Sequence, residues 1–206
     1  MELTHTFTVP VPLDRAWAVL TDVEGIAPCM PGAELREVEG DEYRGVVKVK
    51  VGPITAQYQG KATITEKDQA AHRIVVRAEG RDTRGQGNAS ANVTATLQGE
   101  GDSTTVNVAT DLNVTGKVAQ FGRGVMADVS NKLLGQFVAC LESKIGGEDP
   151  GQAAPAPPSE GVRKIESAEA QPVDLLGAAG APVLKRVVPV VAAALVAYVL
   201  FRLVRR

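Results

Sequence analysis

The sequence is poor in the residues that build most metal and redox sites, with two histidines and two cysteines among 206 residues. Cys29 and Cys140 lie far apart and fit no metal-binding or CxxC spacing. His5 and His72 fall in predicted strands without an acidic or cysteine partner beside them. We therefore predict no metal site and no catalytic residue, since no Ser/His/Asp, Cys/His or paired-carboxylate arrangement is visible.

A secretory signal is also missing from the start of the chain. The first residues, MELTHTFTVPVP, have no basic n-region and no long apolar h-region. We therefore expect the folded part of the chain in the cytoplasm. There, Cys29 and Cys140 are expected to be reduced thiols packed as small hydrophobes, with a disulfide between them as the alternative.

The globular part has no excess of positive charge. Residues 1–146 carry 15 Lys/Arg against 18 Asp/Glu, residues 147–182 carry 2 against 6, and residues 183–206 carry 5 basic residues and no acid. A nucleic-acid-binding protein would have a basic face on its folded part, so this class is excluded. The basic, apolar tail instead indicates contact with anionic lipid. One acidic run is expected to be a solvated surface: Glu34, Glu37, Glu39, Asp41 and Glu42.

Aromatic residues make up only 4% of the chain, so large core side chains are scarce. The stretch GNASANVTATLQG alternates polar and apolar residues as a half-buried strand does, and three of its five inward residues are alanine. ITAQYQGKATI has the same alternation and places Ala56, Gly60 and Ala62 on one face. Such small residues either let a helix pack closely on the sheet or leave a space. An empty space of about 300 Å³ would cost roughly 7 kcal/mol, so we expect an apolar guest to fill it.

The predicted elements are one strand, two short helices, six strands and one long helix. ELTHTFTV is the first strand, and PLDRAWAVLTDVEGIAPCMPG contains both short helices, with Trp17 packing the first on the sheet. The six strands lie near 33–38, 42–51, 54–65, 71–78, 87–97 and 104–115. A long helix near 118–145 follows, in which Gly122 and Gly124 indicate a close backbone approach, a movable portal or a frayed turn. Short connections predict an antiparallel sheet covered by this helix.

Two further segments follow the globular domain, 1–146. Residues 147–182 are rich in Pro, Ala, Gly and charge, which predicts a flexible linker. Residues 183–206 contain an apolar run, 187–201, between basic flanks, which predicts a membrane-anchoring helix worth roughly 3–5 kcal/mol of insertion free energy. The run is short for a full crossing, about 22 Å against about 30 Å. The anchor residues are Val187, Val191, Leu195, Val199, Phe201 and Arg202.

The element order resembles the α+β START-like (Bet v 1-like) helix-grip fold, in which a curved antiparallel sheet of about seven strands wraps a long C-terminal helix. Within it, VPLDRAWAVLTDVEGIAPCMPGAE, VKVGPITAQYQGKATI and VTGKVAQFGRGVM resemble the G-subunit family of carbon monoxide dehydrogenase. The resemblance covers about residues 1–146. It implies a non-catalytic accessory protein associated with a molybdenum-containing CO dehydrogenase and with bringing that enzyme to the membrane.

The resemblance gives no ligand, but the residues point to one. A dehydrogenase must pass its electrons to respiratory quinone, which is nearly insoluble in water. A hydrophobic cavity on a membrane-anchored domain could hold such a molecule, so we expect the ligand to be menaquinone or ubiquinone. A membrane tether without ligand, or a START-like cyclase or hydrolase, stays the alternative. The expected cavity wall comes from inward strand positions and the last helix, with Cys29 and Met30 near a mouth. The predicted wall residues are Ala56, Tyr58, Ala62, Ala91, Val93, Phe121, Val125, Met126 and Val129.

Overall fold

The computed structural model describes residues 1–51, 54–85, 87–147, 163–165 and 173–174. Seven long strands form its sheet: β1 Glu2–Val9, β2 Ala33–Glu39, β3 Glu42–Val51, β4 Ile54–Asp68, β5 Arg73–Asp82, β6 Asn88–Glu100 and β7 Ser103–Val114. Three α-helices accompany them: α1 Leu13–Thr21, α2 Val23–Ile26 and α3 Gly122–Gly147. The predicted order of elements, and with it the α+β START-like fold, is confirmed.

The seven strands form one antiparallel sheet in the order β1-β7-β6-β5-β4-β3-β2. Six of the seven strands are sequence neighbours through short connections, so alternating strands and tight turns suffice to set most of this order. β1 joins at β7, with Phe7 opposite Val106. The face that carries Phe7 is called the inner face here, because α3 packs on it.

The last half of α3 is seated on the inner face at the end where β1 finishes. Phe137 meets the edge of the Phe7 ring at a centroid distance of 6.3 Å, and Leu141 is fully buried. Trp17 of α1 is also buried and packs edge-on against His72. Trp17 thus packs its helix on the sheet as predicted, and His72 makes a core contact.

The start of the long helix differs from the prediction. Residues Val118–Phe121 form a 3₁₀ turn, and the chain then breaks at Gly122, whose φ of 75° lies in the left-handed region, before α3 begins. A Cβ at Gly122, Gly124 or Gly135 would meet no atom within 4 Å. The expected close backbone approach at Gly122 and Gly124 is therefore wrong.

Alanine at Gly124 and Gly135 is expected to stabilise the domain by about 0.5–1 kcal/mol each, because both sites are helical and open. Thermal unfolding of the double variant should shift upward by about 2–4 °C per kcal/mol. Gly122→Ala is the matched control: the same added methyl meets equal space but a strained φ, so its unfolding temperature should fall. Equal shifts in all variants would contradict this.

The two cysteines are joined, contrary to the expectation of reduced thiols. Cys29 and Cys140 form a disulfide with a Cα–Cα distance of 5.4 Å across 111 positions of sequence. It connects the 3₁₀ turn Ala27–Cys29 to α3. Beside it, Lys144 Nζ donates a hydrogen bond to the carbonyl oxygen of Gly25. The segment that precedes β2 is therefore attached to the last turns of α3 at two points.

Part of the range predicted to be a flexible linker is paired with the sheet. Arg163–Lys164 (β8) lies antiparallel to β2 at Val38 and Glu37, and Arg163 forms an ion pair with Glu24 of α2. Val173–Asp174 (β9) pairs in parallel with Val49 and Lys50 of β3. Backbone pairing of this kind needs little apolar surface, because an open sheet edge offers unpaired N–H and C=O groups. The domain boundaries at 146 and 182 stay predictions.

Candidate functional site

The centre of the inner face is built from two adjacent rows of small residues that run across the strands. Directly paired residues point to the same face of an antiparallel sheet. Ala62 pairs with Ala78, and Ala78 pairs with Ala91, which forms the alanine row. Beside it along the strands lies the glycine row: Gly45, Gly60, Gly80 and Ala89. Four consecutive strands thus present almost no side-chain volume at the middle of the sheet.

The glycine row is required by the close approach of the strands as well as by the space it leaves. A Cβ at Gly60 would lie 1.9 Å from the backbone oxygen of Glu79, and one at Gly45 would lie 2.3 Å from that of Glu34. Neither oxygen can move without disturbing the sheet. Behind the row, on the outer face, an open groove of about 420 Å³ runs between splayed polar side chains such as Lys61 and Arg81. Most of the residues that border this groove are polar or charged, and it lies on the face opposite the predicted cavity.

Two hydrophobic clusters lie on either side of the small-residue rows. The larger, called the main core, includes Trp17, Leu97, Val106, Leu141 and Ile145 and seats the last turns of α3. The second cluster forms around the start of α3, where Val118 and Met126 are buried against Ala56. Its partly buried members are Met1, Val49, Tyr58, Val114, Phe121 and Val125. α3 therefore rests on the sheet near both of its ends.

Between the clusters, apolar side chains of the inner face keep part of their solvent exposure. Ala62, Ala78, Ala91 and Val93 belong to neither cluster and are only half-buried. Their strands are paired on both sides, so this exposure comes from the space above the inner face. On the helix, Val129 is half-buried as well. We call the space between the alanine and glycine rows and α3 the hollow.

The predicted wall residues divide between the second cluster and the hollow. The structure brings together Ala56, Tyr58, Phe121, Val125 and Met126 in one cluster. Ala62, Ala91 and Val93 lie on the inner face beside the hollow, and Val129 lies on α3. The predicted wall left out Ala78 and the alignment of the glycine row, although the alternation of AEG in β5 contained part of the signal.

The residues expected at a mouth have different surroundings. Cys29 is buried in the disulfide and cannot line an opening. Met30, next to it, is 47% exposed, and Val47 of β3 is 41% exposed although it shares the inner face with Tyr58. Ala33 connects the two, because its N–H donates to the carbonyl of Met30 and it pairs with Val47. Met30 and Val47 therefore form an exposed apolar rim, which we call the rim, beside the second cluster.

Two polar side chains stand where the second cluster meets the rim. Tyr58 pairs with Asp82 across the sheet, and Asp82 is 8% exposed. Asp82 Oδ1 accepts a hydrogen bond of 2.9 Å from the backbone N–H of Arg84. Burial, and then the charge of Asp82, raises the pKa of the Tyr58 hydroxyl above its usual value. Tyr58 consequently stays neutral at physiological pH and can donate a hydrogen bond.

The predicted acidic run is balanced by cations of the same sheet. Arg44 forms ion pairs with Glu37, Glu39 and Glu42, and Lys61 forms one with Glu42. These contacts, led by the hydrogen bond from Lys61, lower the pKa of Glu42. The run is a solvated surface whose charge is largely neutralised, as an exposed ion-pair network is.

One protein family matches most of the described domain. Residues 6–146 match the family model for the G subunit of carbon monoxide dehydrogenase (CoxG). The chain belongs to the CoxG family. Membership in CoxG indicates an accessory protein associated with a CO dehydrogenase. The curated proteins contain no significant match to the sequence.

Solved structures with the same fold resemble this CoxG domain closely in shape and distantly in sequence. A conserved protein from Geobacillus kaustophilus has a TM-score of 0.64 at 18% identity, covering 71% of this chain and 95% of that one. A START superfamily protein from Mycobacterium smegmatis has 0.52 at 12%, covering 70% and 97%. The ZhuI aromatase/cyclase from Streptomyces sp. R1128 has 0.50 at 19%, covering 72% and 99%. At these identities the likeness concerns the fold alone.

The predicted membrane segment of this CoxG chain, 183–206, lies outside the described residues. With it lie all the predicted anchor residues, from Val187 to Arg202. In the described part of the chain, no helix has both the length and the hydropathy that a membrane crossing requires. The anchor therefore stays a prediction from the sequence.

Proposed function

We propose that this CoxG protein is a non-catalytic carrier that binds a respiratory quinone, menaquinone or ubiquinone, in the hollow. It presents the quinone as electron acceptor to a molybdenum CO dehydrogenase or a related redox enzyme. Residues 183–206 hold the protein, and with it the enzyme, at the cytoplasmic face of the membrane.

The observation that carries this proposal is the half-buried alanine row between two hydrophobic clusters. Alanines pressed against a helix would be fully buried, whereas Ala62, Ala78 and Ala91 retain exposure toward the inner side of the sheet. An apolar hollow that stays empty forfeits dispersion contacts on every wall. A hydrophobic ligand restores these contacts. This favours a ligand-binding protein over a membrane tether that binds no ligand.

Quinone chemistry matches the two kinds of wall. An isoprenoid chain needs only apolar surface, which the small-residue rows and Val93 and Val129 supply. A quinone ring is flat and carries carbonyl acceptors, and it suits a site with Phe121, Met126 and a donating Tyr58 hydroxyl. Family membership supports the carrier role, because the partner enzyme must pass its electrons to a molecule that is nearly insoluble in water.

A catalytic role in the hollow is not supported by its polar groups. In the part of the chain that the structure describes, every buried side-chain nitrogen or oxygen has a hydrogen-bond partner. Asp82 is occupied by the turn that contains Arg84. An acid or base for cyclisation needs a polar group directed at the substrate, so likeness to an aromatase/cyclase at 19% identity does not carry over its activity.

Organic extraction of the full-length protein, purified from membranes of its host, tests the carrier proposal. We expect close to one quinone per chain by mass spectrometry, and uptake of added menaquinone or ubiquinone by protein stripped of ligand. A quinone-free extract together with no uptake would leave a tether without ligand. If a different lipid is found at one molecule per chain, the quinone assignment is wrong and the hollow remains the binding site.

Tyr58→Phe is expected to weaken quinone binding about 2- to 12-fold, the value of one neutral hydrogen bond, without loss of stability. Since the Tyr58 pKa is raised, wild-type affinity should be constant from neutral pH up to its ordinary titration range near 10 and fall above it. The variant should lack this alkaline decline. Tyr43→Phe removes the hydroxyl of the tyrosine opposite Ala62 on the same face, and comparison of the two variants shows whether the alkaline decline belongs to Tyr58.

Deleting residues 183–206 is expected to move the protein from the membrane fraction to the soluble fraction of lysed cells. The deletion removes the apolar run and its five basic residues and leaves the described domain intact. Immunoblotting of both fractions after a high-speed spin measures the change. A shortened protein that still sediments, even in a carbonate wash, contradicts the anchor assignment.

A further inference from the structure

The two ends of the sheet carry opposite charge. At one end β3, β5 and β7 finish and α3 begins, and we call it the basic end. The connections there carry the exposed residues Arg84 and Lys117, and the first turn of α3 carries the exposed Arg123, while the carboxylates of Glu2 and Asp111 lie on the flank of this end. The β5–β6 and β7–α3 connections are neighbours, because the Thr115 N–H donates to the carbonyl of Asn88. These three cations therefore occupy one surface.

The opposite end of the sheet, called the acidic end, has connections with the reverse charge. The β2–β3, β4–β5 and β6–β7 connections meet there. These connections and the strand ends beside them carry exposed carboxylates: Asp41, Asp68, Glu100 and Asp102. Residues 1–146 have more acidic than basic residues in total. The cations at the basic end are thus concentrated in one place on a domain that is acidic in total. As a result, the charge changes sign from one end of the strands to the other.

The exposed apolar rim lies on the side of the sheet edge that faces the basic end, next to the point where the disulfide joins the segment before β2 to α3. Met30 precedes β2, which starts there, and Val47 lies in the second half of β3, which finishes there. Val47 pairs with Tyr58 of the second cluster. Exposed apolar side chains beside cations are the combination that binds a bilayer interface, since the apolar groups enter the headgroup region and the cations meet anionic lipid.

The path of the chain toward its tail runs to the same end. α3 finishes at the acidic end, yet β8 lies opposite Val38 and β9 lies beside Val49–Lys50. Along the open edge of the sheet, β8 therefore lies nearer the acidic end and β9 nearer the basic end. From Asp174, only 12 residues precede the apolar run that starts at Val187. These 12 residues span at most about 40–45 Å when fully extended. A linker that starts at residue 147 would have a longer reach.

We infer that the basic end docks on an anionic lipid bilayer, with Met30 and Val47 at the lipid surface and the hollow opening toward it. Lys117, Arg123 and Arg84 supply the attraction, and the pairing of β8 and β9 brings the tail to this end. The inference rests on the proposed function, because it gives the direction from which an oily guest would enter. It assigns to the domain a lipid-binding surface of its own, separate from the tail.

Hydrogen exchange of the full chain on vesicles tests this surface. The vesicles are phosphatidylcholine alone, or phosphatidylcholine with about a third phosphatidylglycerol. On the anionic vesicles, amides of 83–85 and 115–121 should exchange more slowly than in free protein, and amides of 69–72 and 100–102 should be unchanged. The protection should fade with added salt, because a Debye length of about 3 Å at 1 M screens the attraction.

Charge reversal supplies the matched comparison. Lys117→Glu with Arg123→Glu should remove the protection, with about a fivefold loss in the docked fraction per lost cation, while the tail keeps the protein on the vesicles. Neither change opposes folding, because a carboxylate near the start of α3 favours the helix. Lys67→Glu with Arg77→Glu changes the net charge equally at exposed sites away from the basic end and should leave the protection intact.

The outcomes separate the docking surface from the proposed function. Vesicle-bound protein without protection at the basic end, or with protection at the acidic end, overturns the docking surface and leaves anchor and carrier standing. Equal loss in both charge-reversal pairs also overturns it, since charge alone would then explain the effect. A full chain that binds neither vesicle overturns the anchor and the docking surface together. If the amides of the basic end are protected as expected but the protein does not bind quinone, only the carrier proposal is contradicted.

Discussion

Ala91→Trp is expected to abolish quinone binding, with an affinity at least about 100-fold lower, and to leave the domain folded. Ala91 is the β6 member of the alanine row, on the inner face, and is half-buried without belonging to either hydrophobic cluster. An indole at this position extends into the hollow and takes the space of the guest. Titration of stripped protein with quinone, followed by equilibrium unfolding, measures both effects.

The stability of this variant distinguishes a hollow from close packing. A large side chain forced into a well-packed core destabilises by about 1–3 kcal/mol, whereas one that fills a void gains apolar contacts. We therefore expect the unfolding free energy of Ala91→Trp to equal or exceed that of the wild type. Ala109→Trp, on the outer face of β7, is the control and should bind quinone normally. A strongly destabilised Ala91→Trp would mean that the helix is seated flush on the sheet.

Replacing both cysteines by alanine is expected to lower the free energy of unfolding by about 2–5 kcal/mol, the usual effect of losing a native disulfide. Cys29 and Cys140 are 111 positions apart, so the bond restricts a large part of the unfolded chain. Denaturant unfolding of oxidised wild type and the double variant measures the difference. The loss should fall on the attachment of α3 to the turn before β2.

A reductant provides the control for this comparison. It should destabilise the wild type toward the variant and leave the variant unchanged. Thiol titration of unfolded, unreduced protein should find no free thiol in the wild type. Two titratable thiols and equal stabilities would restore the reduced state that the sequence indicated.

The strands and their order could be predicted because the information is local. Alternation of polar and apolar residues gives a strand, and a Gly or Asp turn two to four residues long allows only an antiparallel neighbour. β3, predicted at 42–51, was found at Glu42–Val51. Boundaries failed where a residue has a special conformation, as at Gly122, which separates a 3₁₀ turn from the helix expected to be continuous.

The candidate site could be predicted only in part, because its residues come together through register. The alternation predicts which residues share the inner face, but it does not give the register between strands. The residues placed on this face were Ala56, Tyr58, Ala62, Ala91 and Val93. Pairing of Gly45 with Gly60, and of Ala62 with Ala78, depends on where each turn closes. A shift of one residue would have moved these side chains to the outer face. The two rows were therefore visible only after the strands were paired.

By itself, the sequence determined that small residues line the inner face, that a long helix covers it, and that a basic apolar segment ends the chain. These are local properties of composition and periodicity. The tertiary structure alone decided that the small residues align into rows, that Cys29 meets Cys140, and that β8 and β9 pair with the edge of the sheet. The physical reason is that contacts between distant residues depend on strand register and on the seating of α3, and neither quantity is contained in any short stretch of sequence.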